Sequence, residues 1–547
     1  MTKIIIVGAG ISGLSCALEL IKRGYEVEIY ESSSTFGGQA KSVETNTCYV
    51  PYAWRIWSNY YYNFLEVTSS IPYKNGTIRD NLVPIPKYSH EIQGGIGRQV
   101  AGGTTLDIKK FPSKWSYLRL IIKLIQAFTF SDERLRKNDI TFFDYIGPKD
   151  QATINWIDEF VGPIIGMEAR KATLFCIIKG WQVTYMSASK DNNFEKVQIY
   201  VANGPYSEVL FNPWAEYLIQ KGVTIHKNTK VTGLNYDKNT NKIISMSTDT
   251  KGTIYGDDFV LCIDQSAVHK LLHHNNDLMR DTMIKNSTKL REYGNNLWFG
   301  MVLYFSEKFV PEIGTGCTQD QPWKVVLENF SASWKPEFIK HCGVAEIVQV
   351  SVLDLVLGTN GKYLNDCSVE EAVEETLLQL QRSDLMKNLK TETGKNAFET
   401  LCGYDVWPDW VNDENGKITN KNDQYKLSIN SKCWENMPDN TTSFDNLFFG
   451  SVIVKADAPM ISMEFACTNG RSAAQVISKK YGTESVKVLE HKGFCPTLME
   501  PLRGIDKILY KSGLDINIFQ VIVTLVIFVF LIICVIMFIH IKKYLAK

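Results

Sequence analysis

Three glycines near the start of the chain, Gly8-x-Gly10-x-x-Gly13, sit between a short apolar run and an amphipathic one. A carboxylate, Glu31, follows a little over twenty residues after the first of them. These residue types at this spacing suit the binding of a diphosphate flanked by a ribose. Gly8 turns the chain sharply. Gly10, lacking a side chain, lets a pyrophosphate approach the backbone. Gly13 lets helix and strand pack closely. Ile11 and Ser12 bring the free N–H groups of a helix start, whose dipole favours the phosphate charge. Glu31 can accept hydrogen bonds from ribose hydroxyls. The elements that must position these groups are legible around them. Residues 4–7 read as a buried parallel strand, 12–23 as a helix with Leu14, Leu18 and Ile21 on one face, and Glu26–Tyr30 as a second strand.

A second glycine pair, Gly37-Gly38-Gln39-Ala40, follows Glu31. It resembles the GG motif of FAD-dependent amine oxidases and carotenoid desaturases, and implies FAD as the dinucleotide. Those enzymes often carry Arg or Lys where this chain has Gln39. Residues 49–63, with Tyr52, Trp54, Arg55, Trp57, Tyr60 and Asn63, resemble the segment that borders flavin and substrate in plant-type desaturases. The Tyr60-x-x-Asn63 end matches, and Trp54 or Arg55 stands where the family has His.

Further along, a helix at 209–221, a strand at 223–226 and the step Lys230-Val231 are similar to the second FAD-contacting block of the superfamily. The resemblance assigns Val231 the backbone contact to the adenine. Near the end, 446–451 (Asn-Leu-Phe-Phe-Gly-Ser) and 462–474 (Ser-Met-Glu-Phe-Ala-Cys-Thr-Asn-Gly-Arg-Ser-Ala-Ala) resemble the closing motif of the same superfamily. There a strand delivers a Gly, here Gly450, beside the flavin chain. The last helix, starting here at Met463, then points its N–H groups at the ring. Ser451 replaces the family's ribityl-binding acid. Ser462 replaces the aromatic-cage tyrosine of monoamine oxidases.

Bulk properties bound the rest. At 547 residues the chain exceeds what one hydrophobic core normally holds, so two domains are expected. Zero net charge argues against nucleic acid as a partner. Twelve cysteines without a CxxC pair read as reduced buried thiols rather than a disulfide framework. Eight histidines without ligand spacing point to no metal site. The start of the chain shows no signal peptide. Residues 516–541 carry no formal charge and are long enough, at about 1.5 Å per residue, to cross a bilayer core of about 30 Å. This reads as a tail anchor with the large domain on the cytosolic side. Residues 115–130 read as a helix with Leu118, Ile121, Ile122, Ile125 and Phe128 on its core face, or as a helix dipping into a membrane interface.

The expected architecture is therefore α/β: a Rossmann-type FAD-binding domain, glutathione-reductase-like, with an inserted mixed α+β substrate domain and a C-terminal transmembrane helix. The FAD-binding domain takes 1–47, 200–264 and 439–477. The substrate domain takes 48–199 and 265–438. A linker spans 478–515. The resemblance implies a membrane-anchored FAD-dependent oxidoreductase removing hydride from a C–H bond of a lipophilic substrate, with the electron acceptor open. A flavin amine oxidase, an isomerase without net oxidation, or a non-catalytic membrane-tethered binding module are the alternatives. No catalytic residue is assigned.

Overall fold

The computed structural model describes residues 1–85, 113–137, 140–154, 156–157, 170–183, 198–318, 320–353, 356–427, 431–456, 461–491 and 499–545. Strand β1 (Lys3–Val7) is buried from Ile4 onward, and helix α1 (Ile11–Ile21) follows the glycine turn directly. β2 (Glu26–Tyr30) lies parallel to β1, with Val7 opposite Tyr30. β3 (Thr224–His226) adds outside β2. On the other side of β1 come β4 (Asp258–Leu261) and then β6 (Leu447–Phe449). The order β3-β2-β1-β4-β6 is parallel throughout, and ligands of such open sheets bind beyond the carboxyl ends of the strands. The hairpin Val231–Asp237/Lys242–Thr248 forms across the polar residues 238–241.

A second, antiparallel sheet draws on the chain between β4 and β6. Its order is Thr315–Cys317, Val326–Asn329, Glu346–Leu353, β5 (Trp298–Phe305) and Leu401–Val406. β5 is an inner strand, fourth of the five, and is buried at every position. Residues 52–53 cross its face so closely that a Cβ on Gly300 would lie 2.3 Å from the Tyr52 carbonyl oxygen. Helix α2 (Tyr62–Ser69) carries the Asn63 end of the Tyr60-x-x-Asn63 motif, and helix α5 (Met463–Tyr481) carries the Met463-Glu464 block. α5 crosses α1 at Gly470, where a Cβ would lie 2.1 Å from the Ser12 carbonyl oxygen. The same logic holds at Gly13, whose Cβ would meet the Gly8 carbonyl oxygen.

Several expectations need correction. Pro322 and Trp323 precede the strand Val326–Asn329 without joining it, because Lys324 has a φ of +48°, which extended strands do not adopt. The helix expected at 209–221 is a π-type turn, Ser207–Phe211, running into Asn212–Gln220. Helices Phe142–Ile146 and Leu174–Val183 come earlier in the chain, and 184–190 lie outside the described residues.

Helix α3 (Lys114–Thr129) buries Leu120, Leu124 and Ala127, while Trp115, Leu118 and Ile122 are exposed. Its apolar residues run so far round the helix that periodicity alone selects no unique buried face. Cys48 and Cys342 form a disulfide, contrary to the expectation of reduced thiols throughout. The two are 294 residues apart, so nothing local announces the pair. Helix α7 (Ile518–Leu545) covers the expected apolar stretch, and its most apolar window has no residue buried against the rest of the chain.

Candidate functional site

The carboxyl ends of β1, β2 and β4 open on a cleft of about 860 Å³. Of the residues singled out from the sequence, Gly8, Gly10, Ile11, Ser12, Glu31, Gly37, Gly38, Gln39, Val231, Ser451 and Met463 line it. Gly13 and Gly450 stand behind the wall. Gly13 packs α1 on the turn, and a Cβ on Gly450 would lie 2.9 Å from the Cys262 sulfur.

The turn is built by backbone geometry. Gly8 has a φ of +103°, and a Cβ there would lie 2.6 Å from the Cys262 carbonyl oxygen. Gly37 shares that φ and faces the Phe211 ring. Gly10 and Gly38 face one another: a Cβ on Gly38 would come within 3.3 Å of the Gly10 Cα. Side chains at either position would fill the cradle. α1 starts at Gly10 with no side-chain cap and no acidic residue in its first turn, which leaves its positive end to a ligand. Glu31 is buried at the end of β2, where the Ala9 N–H (2.7 Å) and the Ser33 N–H (2.8 Å) donate to its carboxylate. These bonds fix a carboxylate at the rim, as ribose recognition needs.

The opposite end of the cleft is ring-lined by Tyr52, Trp54, Tyr60, Tyr61, Trp298 and Trp407. Of Tyr404, Trp407 and Trp410, only Trp407 lines it. Trp410 is buried against Tyr52, and Tyr404 is exposed. Gln39 turns its amide to the Tyr425 carbonyl (2.9 Å). Arg55 donates to the Gln39 carbonyl (2.7 Å), and burial lowers its pKa. Lys426, which no local motif marks, places its ammonium 3.9 Å from the Trp298 ring centroid; burial first, and then the charge of Arg55, hold its pKa well below the usual range. Asp264 lines the cleft and caps the following helix through the Ala267 N–H (2.8 Å). Burial pushes its carboxyl up to about 6.

The N-terminus of α5 opens on the cleft through Ser462, Met463 and Ala466. Ser462 is the N-cap, its hydroxyl accepting the Phe465 N–H (3.3 Å). Glu464 points away from the cleft. Its carboxylate accepts the backbone N–H groups of Asn63 (2.8 Å) and Phe64 (2.9 Å) at the start of α2, and His491 Nε2 lies 2.9 Å away. The Tyr60-x-x-Asn63 and Met463-Glu464 motifs are thus two halves of one buried joint.

Residues 6–69 match the family model described as an NAD(P)-binding Rossmann-like domain. The chain is 28% identical over 248 residues to a polyenoic fatty acid isomerase of Ptilota filicina, covering 42% of this chain and 49% of that protein. It is 25% identical over 305 residues to a zeta-carotene desaturase of Synechocystis, covering 50% of this chain and 60% of that one. The chain therefore spans about half of these relatives. In fold it is similar to putrescine oxidase (TM-score 0.57, 14% identity, 87% of this chain and 99% of that one). It is also similar to cyclohexylamine oxidase from Brevibacterium oxydans (TM-score 0.57, 12% identity, 88% and 99%). In fold and in local sequence, the chain resembles the FAD-dependent amine oxidase and desaturase-like superfamily that its glycine motifs and its Met463-Glu464 block suggest.

Proposed function

We propose that the chain is a membrane-anchored, FAD-dependent oxidoreductase that removes hydride from a C–H bond of a lipophilic substrate. One observation carries this reading: the uncapped start of α1, the Glu31 carboxylate and the start of α5 all open on one cleft whose far end is lined by rings. The residues present fit FAD. The Gly10/Gly38 cradle and the α1 N–H groups would hold its diphosphate, Glu31 its ribose, and the Val231 backbone its adenine. Bound FAD would supply a two-electron acceptor for hydride. The start of α5 would offer partial positive charge to a flavin held in the cleft, which gains negative charge on reduction. The aromatic wall excludes water and offers apolar area to a lipid chain. Gly10→Val fills the cradle and is expected to abolish FAD retention, with Tm changed by only a few degrees. Retention of FAD by this variant would contradict the assignment.

The membrane reading rests on α7 and on what surrounds its root. Residues Ile518–Lys542 are long and apolar enough to span. α3 and helix α6 (Glu500–Lys511) present Trp115, Leu118, Ile122, Ile505 and Ile508 to the outside. Such residues suit an interfacial surface beside the span. Flotation with liposomes after alkaline carbonate washing tests it: the chain is expected to float, and a soluble chain would refute it.

A second reading is favoured by the similarity to the polyenoic fatty acid isomerase. Hydride taken from one carbon would return to another, with no net consumption of acceptor. Product analysis under anaerobic conditions separates the two. A shifted double bond indicates isomerisation, and an added one indicates desaturation. The amine oxidase reading is weaker, because Ser462 at the cage position serves as a helix cap.

A further inference from the structure

We propose that the segment 421–425 is a strap that slows release of the cofactor, and that Gln39 and Gln265 are the positioning residues that hold it. This rests on the FAD reading above and names how the cleft retains its cofactor. The strap joins two short strands, Ile418–Asn420 and Lys426–Leu427, and its Lys421, Asn422 and Gln424 line the cleft. Its own bonds make it a compact turn. The Asn420 side chain accepts the backbone N–H groups of Asn422 (3.0 Å) and Gln424 (3.1 Å). The Tyr425 hydroxyl lies 2.7 Å from the Thr419 hydroxyl. A segment bonded to itself in this way moves as one piece, so what ties it at a few points ties all of it.

The ties come from two walls of the cleft. Gln39 directly follows Gly38 of the glycine cradle, and Gln265 begins the helix Gln265–Leu272 beyond β4. Both side-chain amides donate to one acceptor, the Tyr425 carbonyl, at 2.9 Å and 3.0 Å. A carbonyl oxygen has two lone pairs, so it serves both. The Tyr52 hydroxyl donates to the neighbouring Gln424 carbonyl (3.2 Å). Asp423 pairs with Lys270 (3.1 Å), on the same helix as Gln265, and with Arg291 (2.9 Å). Gln39 stands where the resemblance expects a cation, and its amide is spent on the strap. A diphosphate seated in the Gly10/Gly38 cradle is then held beside a segment fastened to the cradle itself and to the end of β4. Opening that segment breaks both amide bonds together, which sets a barrier to release.

The test follows FAD release from the full chain in a nonionic detergent, by flavin fluorescence on dilution. Hydrogen exchange over 421–427 is measured on the same samples. Gln39→Met and Gln265→Met keep the side-chain length and lose the amide. Each is expected to release FAD about fivefold faster than the parent, and the double variant about twentyfold faster or more. Exchange over 421–427 is expected to quicken in the double variant, with β1 and β2 equally protected. Release at the parent rate from the double variant overturns the proposal. So does faster release from Gln39→Met with 421–427 equally protected, which would make Gln39 a direct cofactor ligand. In the parent, loading with FAD is expected to slow exchange over 421–427; no slowing overturns the strap even if the variants do not fold. A parent that never takes up FAD contradicts the oxidoreductase reading itself, whereas FAD taken up and released at one rate by all variants contradicts the strap alone.

Discussion

Glu464 has no exposed surface, yet it sits in a motif that the resemblance associates with a flavin. Its bonds to the Asn63 and Phe64 N–H groups make it the anionic cap of α2, and Arg471, also buried, donates to the Asn63 side chain (3.0 Å). Glu464→Gln removes the charge and is expected to cost about 1–3 kcal/mol of stability, read by urea unfolding, while the folded fraction still retains cofactor. Loss of cofactor with unchanged stability would assign Glu464 to the site instead. Asp264 makes a second prediction. Its folded pKa, about 6, lies above the ordinary 3.8, so the stability from its neutral form is full below the lower value and lost as pH rises through the higher. Asp264→Asn keeps a helix-capping side chain and removes the charge. Its Tm relative to the parent is therefore expected to rise between about pH 4 and about pH 7. A constant difference would show that Asp264 is not strained by burial. At this scale the glycine turn and Glu31 were legible because their roles depend on neighbours within one βαβ unit. Lys426 and the Glu464–Asn63 joint were not, since each is made by partners distant in sequence.

Among the elements, α1, β1 and β2 form almost where hydrophobic periodicity places them, because the strands are apolar runs and the helix is bounded by Gly10 and Gly24. α3 was legible as a helix but not in its orientation. What fixes its surroundings is a buried clasp. Asp506 on α6 accepts from Arg134 Nε (2.9 Å), the Ser131 N–H (2.8 Å) and Asn517 Nδ2 (3.1 Å). Arg134, in helix α4 (Asp132–Lys137), also donates to the Ile516 carbonyl (3.0 Å) and pairs with Asp515. These bonds tie the root of α7 to the globular part. Breaking a buried pair by removing one partner costs about 3–5 kcal/mol. Arg134→Met is expected to release the segment between α6 and α7, seen as faster limited proteolysis near Gly513, with the β1–β2 region equally protected. Unchanged cleavage would mean that the clasp does not hold the span.

At the scale of the molecule, the five-stranded parallel sheet was legible as a class, but its outer strand β6 comes from more than four hundred residues beyond β1 and only a resemblance could bring it there. The Cys48–Cys342 bond was not legible at all. Disulfides persist in oxidising compartments, so this bond makes a testable prediction about which side of a membrane the domain would occupy. In an oxidising compartment the exposed sequon Asn75-Gly76-Thr77 is expected to carry a glycan, lost in Asn75→Gln and seen as a gel shift after glycosidase; absence of a shift would count against that placement.

The central claim, that the cleft holds FAD, is tested by the visible spectrum of the full chain purified in detergent without added cofactor. Bands near about 370 and about 450 nm that bleach with dithionite, with FAD released on denaturation, are the expected result. A colourless chain that cannot be loaded with FAD would contradict it.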